Sequence, residues 1–96
     1  MAKYHVCINF KINDDFADLV PAHRNYINYL INEGVVDHYA VSMETKRAWI
    51  TVNAESKKEV RKLLMKSPLY KFWKIEIDEL YVIDGQNYRF PVLQLN

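Results

Sequence analysis

From Ser67 to Asp84 the chain reads S-P-L-Y-K-F-W-K-I-E-I-D-E-L-Y-V-I-D, and this joint between a helix end and a strand constrains the fold more than any other stretch. Pro68 has no amide hydrogen and its ring restricts the residue before it, so the helix predicted over Lys57–Lys66 must stop there. Beyond an aromatic turn of Tyr70, Phe72 and Trp73, the residues Ile75, Ile77, Tyr81 and Ile83 recur at even spacing. That pattern predicts the longest strand of the chain, with one face packed. Glu76, Asp78 and Leu80 take its other face.

The remaining elements follow from the same two periodicities. Lys3 to Lys11 alternates, with Tyr4, Val6, Ile8 and Phe10 on one side and His5, Cys7 and Asn9 on the other, as a half-buried strand requires. Asn13-Asp14-Asp15 offers capping oxygens to a helix whose apolar residues, from Phe16 to Ile31, fall three and four apart and which ends at Gly34. Pro21 inside that pattern predicts either a kink or the true first turn, with Asp14 to Val20 as a loop or short preceding helix. Val35 to Met43 and Arg47 to Asn53 read as two strands joined by a turn at Glu44-Thr45-Lys46. Ser56 with Glu59 three residues later has the spacing of a capping box for the second helix, whose stripe is Val60, Leu63 and Leu64.

The order strand, helix, strand, strand, helix, strand predicts an α+β protein of ferredoxin-like βαββαβ type, a four-stranded antiparallel sheet with both helices on one side. Residues 1–84 form this domain. Residues 85–96 form a tail that keeps Phe90, Val92, Leu93 and Leu95 and is expected to pack on the domain or on a neighbouring subunit.

At 96 residues, 50% of them hydrophobic, the chain has enough apolar material for one folded domain, and disorder is excluded. Thirteen basic against twelve acidic side chains, scattered along the chain, give none of the field of a nucleic-acid binder. The lone Cys7 excludes an internal disulfide and a cysteine zinc site, and three histidines without tight spacing predict no metal site. No apolar run reaches the roughly 20 residues that span a bilayer. The N-terminus lacks a secretory pattern, so a cytoplasmic protein is expected.

With both helices on one side, the opposite face of the sheet is predicted to carry Trp49, Cys7, Phe72 and Leu80, too apolar a set to face water alone. A second copy of the chain is the simplest cover, and two such sheets face to face make a dimeric α+β barrel. Strand phasing puts His5, Asn9, Trp49, Thr51 and Glu76 in its interior. His38 joins them only if the phase of Val35–Met43 allows, because both faces of that strand carry apolar residues.

Leu64-Met65, Pro68-Leu69-Tyr70 and Ile75-Glu76-Ile77-Asp78 with Leu80 resemble the corresponding segment of the muconolactone isomerases, in which proline-leucine-aromatic leads into isoleucine-glutamate-aliphatic-aspartate. The resemblance implies a ferredoxin-like subunit, dimeric barrels, often larger rings of them, and a cofactor-independent isomerisation of an unsaturated lactone. The family's first helix is acidic where this chain has Pro21-Ala22-His23-Arg24, and the apolar tail is an addition.

Moving a proton from beside a carbonyl to another carbon needs a base that also serves as acid, and a cationic or hydrogen-bonding group to hold developing negative charge. Glu76 and His23 are the candidates for the shuttle, and Arg24, or else Arg47, for the carboxylate clamp, with His5, Asn9, Trp49 and His38 as further substrate contacts; neither cofactor nor metal is required. Each has a plainer role: Glu76 as a structural partner, His23 and Arg24 as helix residues that are solvated or hydrogen-bonded to a neighbouring chain, His5 and Asn9 as satisfied polar groups. Two other functions fit the same residues. Asn9, Trp49 and His5 in one pocket suit a cofactor-free monooxygenase acting on phenols, and a ligand-binding or assembly module without catalysis meets every packing argument.

Overall fold

A computed structural model describes residues 1–85. The strands are β1 (Ala2–Phe10), β2 (Val36–Ser42), β3 (Arg47–Ala54) and β4 (Trp73–Glu79), and the helices α1 (Phe16–Asn32) and α2 (Lys57–Met65), with one 3₁₀ turn at Tyr70–Phe72. The sheet runs β2-β3-β1-β4 with every neighbouring pair antiparallel. This is the ferredoxin-like arrangement predicted from the element order. The expectation for Phe90, Val92, Leu93 and Leu95 lies outside the described residues.

Alternation assigns the faces. Val6 lies between Ile50 and Ile77, and Ile8 between Ala48 and Ile75, so these residues form continuous rows across the sheet beneath the helices. Ile27 and Leu30 of α1 and Val60 and Leu64 of α2 complete the core. The Tyr26 hydroxyl donates to the Leu63 carbonyl at 2.7 Å and ties the two helices together. Ser56 caps α2 as its spacing requires, its hydroxyl accepting from the Glu59 amide at 3.1 Å.

The structure corrects three details and decides a fourth that the sequence left open. First, α1 runs unbroken through Pro21, which sits in its second turn, and Asn13 does not cap it: its side chain accepts from the Asp15 amide, an Asx turn just before the helix. At the other end the Gly34 amide bonds Ile31 and the Val35 amide bonds Leu30, a Schellman closure that needs the positive φ of 75° found at Gly34. Second, β4 stops at Glu79, so β1 is the longest strand and Tyr81 is fully exposed. Third, Phe72 lies on the helix side, its ring 5.5 Å from that of Phe16 and edge-on to it. It belongs to the 3₁₀ turn, where strand alternation does not apply. Fourth, β2 carries a β-bulge between Val36 and His38, which puts Tyr39 opposite Ile50 on the helix side and His38 opposite Thr51 on the open side.

Candidate functional site

Helical spacing turns His23 of α1 toward the sheet, where it is 1% exposed. Its Nδ1 lies 2.7 Å from the Ser67 hydroxyl and its Nε2 2.8 Å from the Tyr39 hydroxyl, so both ring nitrogens are satisfied by uncharged groups. Trp73 meets the imidazole edge-on with ring centroids 5.5 Å apart. Burial, aided by the neighbouring Arg24 charge, pushes His23 down from the ordinary 6.5 to about 4, and the ring is therefore neutral at pH 7. Burial pushes the Tyr39 phenol up, partly opposed by Arg24, whose guanidinium carbon lies 6.0 Å from the Tyr39 ring centre.

His23, Tyr39 and Arg24 line one cavity of about 140 Å³, walled by Phe10, Phe16, Val20 and Trp73. A neutral imidazole–phenol pair in an apolar wall, with a guanidinium beside it, can orient a small ligand, hold an anionic group and relay a proton. A larger, more open cleft of about 700 Å³ adjoins it at the end of the sheet, sharing Phe10 and Trp73 and rimmed by Lys11, Lys46, Lys71 and Lys74.

The remaining predicted site residues gather on the open face. Across the strands run the rows Ala40–Trp49–Cys7–Glu76 and His38–Thr51–His5–Asp78. Asn9 lies one row along and accepts from Arg47 Nε at 3.1 Å. Glu76 and His38 are exposed, whereas His5 and Trp49 are half-buried. His5, Asn9, Trp49, His38 and Glu76 thus share one face, but the expected pairing of Glu76 with His23 as a shuttle, with Arg24 as clamp, is not formed within one chain, because the thickness of the sheet lies between them. Tyr39 and Ser67 were missed. Ser67 reads as a helix terminus before Pro68, and its place beside His23 arises only when the 3₁₀ turn packs under α1. Among the described residues no group of three or more His, Cys, Asp or Glu could hold a metal ion, and no helix is long and apolar enough to cross a membrane.

Among solved structures the chain is similar to a crystal structure of muconolactone isomerase, with a TM-score of 0.73 and 19% identity over 92% of this chain and 97% of that one. The likeness is one of fold. No family model and no curated protein matches the sequence.

Proposed function

We propose that the cavity beneath α1 is the active site of a cofactor-independent small-molecule enzyme, a proton-transfer isomerase acting on a carboxylate-bearing unsaturated lactone or related cyclic acid. The observation that carries this reading is the buried, neutral His23 bonded to Tyr39 in the wall of an apolar cavity, with Arg24 alongside. In this reading Arg24 pairs with the substrate carboxylate, a role for which a planar guanidinium is better suited than an ammonium. Tyr39 stabilises the enolate oxygen by hydrogen bonding, and His23, bonded to that phenol, orients it and strengthens its donation.

Absorbance-monitored conversion of muconolactone by the purified chain tests the proposal. His23→Gln is expected to lower turnover by about two to four orders of magnitude, and Arg24→Lys to act chiefly on KM. A wild type that neither converts nor binds any such lactone overturns the reading.

A second reading draws on the open face, where Trp49, Cys7 and the buried Thr51 form an incompletely covered patch beside His5 and Glu76. Here a second copy of the chain closes a barrel over these residues and Glu76 becomes the proton-transfer group. Glu76→Gln then abolishes turnover where His23→Gln does not. Trp49→Asp disperses the dimer in light scattering, whereas a soluble wild-type monomer at micromolar concentration overturns the barrel. Oxygen uptake with phenols in place of lactone turnover assigns His5, Asn9 and Trp49 to a monooxygenase.

A further inference from the structure

The hydrogen atoms around His23 can be counted. The Ser67 hydroxyl oxygen accepts from the Leu69 amide at 3.1 Å and contacts His23 Nδ1 at 2.7 Å, and Ser67 is 5% exposed. If Nδ1 carried the ring proton, Ser67 would accept twice and its own hydrogen would have no acceptor among the described residues. A buried donor left without a partner is strongly disfavoured. With the hydroxyl donating to Nδ1, both Ser67 and the His23 ring are satisfied: the amide donates to Ser67, Ser67 to Nδ1, and Nε2–H to Tyr39. The chain then ends on the hydroxyl hydrogen of Tyr39, a residue lining the cavity, and no acceptor for that hydrogen is found among the described residues.

We propose that Ser67 is a positioning residue that fixes His23 as its Nε2–H tautomer, so that Tyr39 turns a hydrogen-bond donor toward the cavity and selects ligands bearing an oxygen acceptor, a carbonyl or enolate oxygen on a small apolar body. The ST turn that orients Ser67 exists because Pro68 stops α2 and leaves the Leu69 amide free to find a side-chain acceptor. The Nε2–H donating to the phenol oxygen strengthens the hydrogen bond that Tyr39 gives to the ligand oxygen, while Ser67, with only the Leu69 amide behind it, keeps its own hydrogen; the chain of donors thus has a direction, outward into the cavity. The charged group beside this chain of donors in the cavity wall is Arg24, which favours an anionic ligand oxygen. This inference deepens the proposed function and rests on it for the ligand, but the tautomer is measurable without any substrate.

Imidazole ¹⁵N NMR of the full chain at pH 7, with the His23 signals identified by their loss in His23→Gln, is the test. The Nε2–H pattern is expected in the wild type, a mixture of tautomers in Ser67→Ala, and its restoration in Ser67→Thr, which keeps the hydroxyl. An Nδ1–H wild type overturns the Ser67 assignment. For the ligand, γ-butyrolactone titrated against the same signals is expected to bind about tenfold more weakly to Tyr39→Phe, which keeps the ring and loses only the donor. Equal affinity overturns the donor role of Tyr39. A complete lack of γ-butyrolactone binding overturns both the ligand selection and the reading of the cavity as a site, while leaving the tautomer result intact.

Discussion

On the helix side of the sheet Val6, Ile8, Ile50 and Val52 are at most 2% exposed, while their sequence neighbours Cys7, Trp49 and Asn53 on the other side are only half-buried. The helix side is largely apolar, and in its buried polar group of His23, Tyr39 and Ser67 both ring nitrogens have a partner. The open side mixes histidine, cysteine, tryptophan and carboxylates, and its strongest interactions stand at its edge. There Lys3 Nζ reaches Asp37 at 2.6 Å and Asn53 at 2.8 Å, and Asn53 donates to Asp37 and to the Gly34 carbonyl. The contrast shows why a polar group costs little inside one face and much more is tolerated on the other: complete hydrogen bonding substitutes for water in the first case, and partial exposure retains it in the second.

Replacing one residue on each face at the same point in the sheet probes this contrast most strongly. Ile50→Ala is expected to lose about 2–5 kcal/mol in urea unfolding, whereas Thr51→Ala, its neighbour on the open side, loses about 1 kcal/mol. Equal losses would mean that the open side is as tightly packed as the core.

Acid sharpens the comparison next. Because the folded chain holds His23 near 4 and the unfolded chain near 6.5, the unfolded chain binds the extra proton between these values. The contribution is therefore complete above about pH 6.5 and is lost as pH falls toward 4, by up to about 3 kcal/mol. Urea melts across that range should show the slope in the wild type and lose it in a folded His23→Gln chain. The smallest effect belongs to the open side: Lys3→Met should cost no more than about 1 kcal/mol, since the Lys3–Asp37 pair is partly exposed and Asn53 still serves Asp37. A thermal melt lowered by more than about 8 °C would show that the pair is worth more than a partly exposed one.

Elements governed by local periodicity were legible in the sequence. The alternation in β1 and β3 and the Ser56 cap of α2 fix their own phase, so the co-facial set of His5, Asn9, Trp49 and Glu76 follows without coordinates. Phase failed where the backbone leaves the regular pattern. Phe72 was read with the strand although a 3₁₀ turn had already rotated it, and Tyr81 was read with a strand that ends at Glu79. The candidate site suffered most, because His23 meets a partner 16 residues away in Tyr39 and another 44 residues away in Ser67. No local spacing connects these three, although His23 itself falls in the three- and four-residue pattern that buries one face of α1.

The bulge in β2 has a consequence for how the edge strand responds to length mutations. Val36 pairs with Val52 and His38 already pairs with Thr51, so Asp37 occupies no rung of its own. A chain lacking Asp37 should therefore keep Tyr39 opposite Ile50 while forfeiting the Lys3 and Asn53 contacts at the rim. One residue added between His38 and Tyr39 would instead invert the strand from that point, sending the phenol outward and leaving the imidazole of His23 without its acceptor. The edge of this sheet can shrink by a residue and keep its chemistry, but it cannot grow by one.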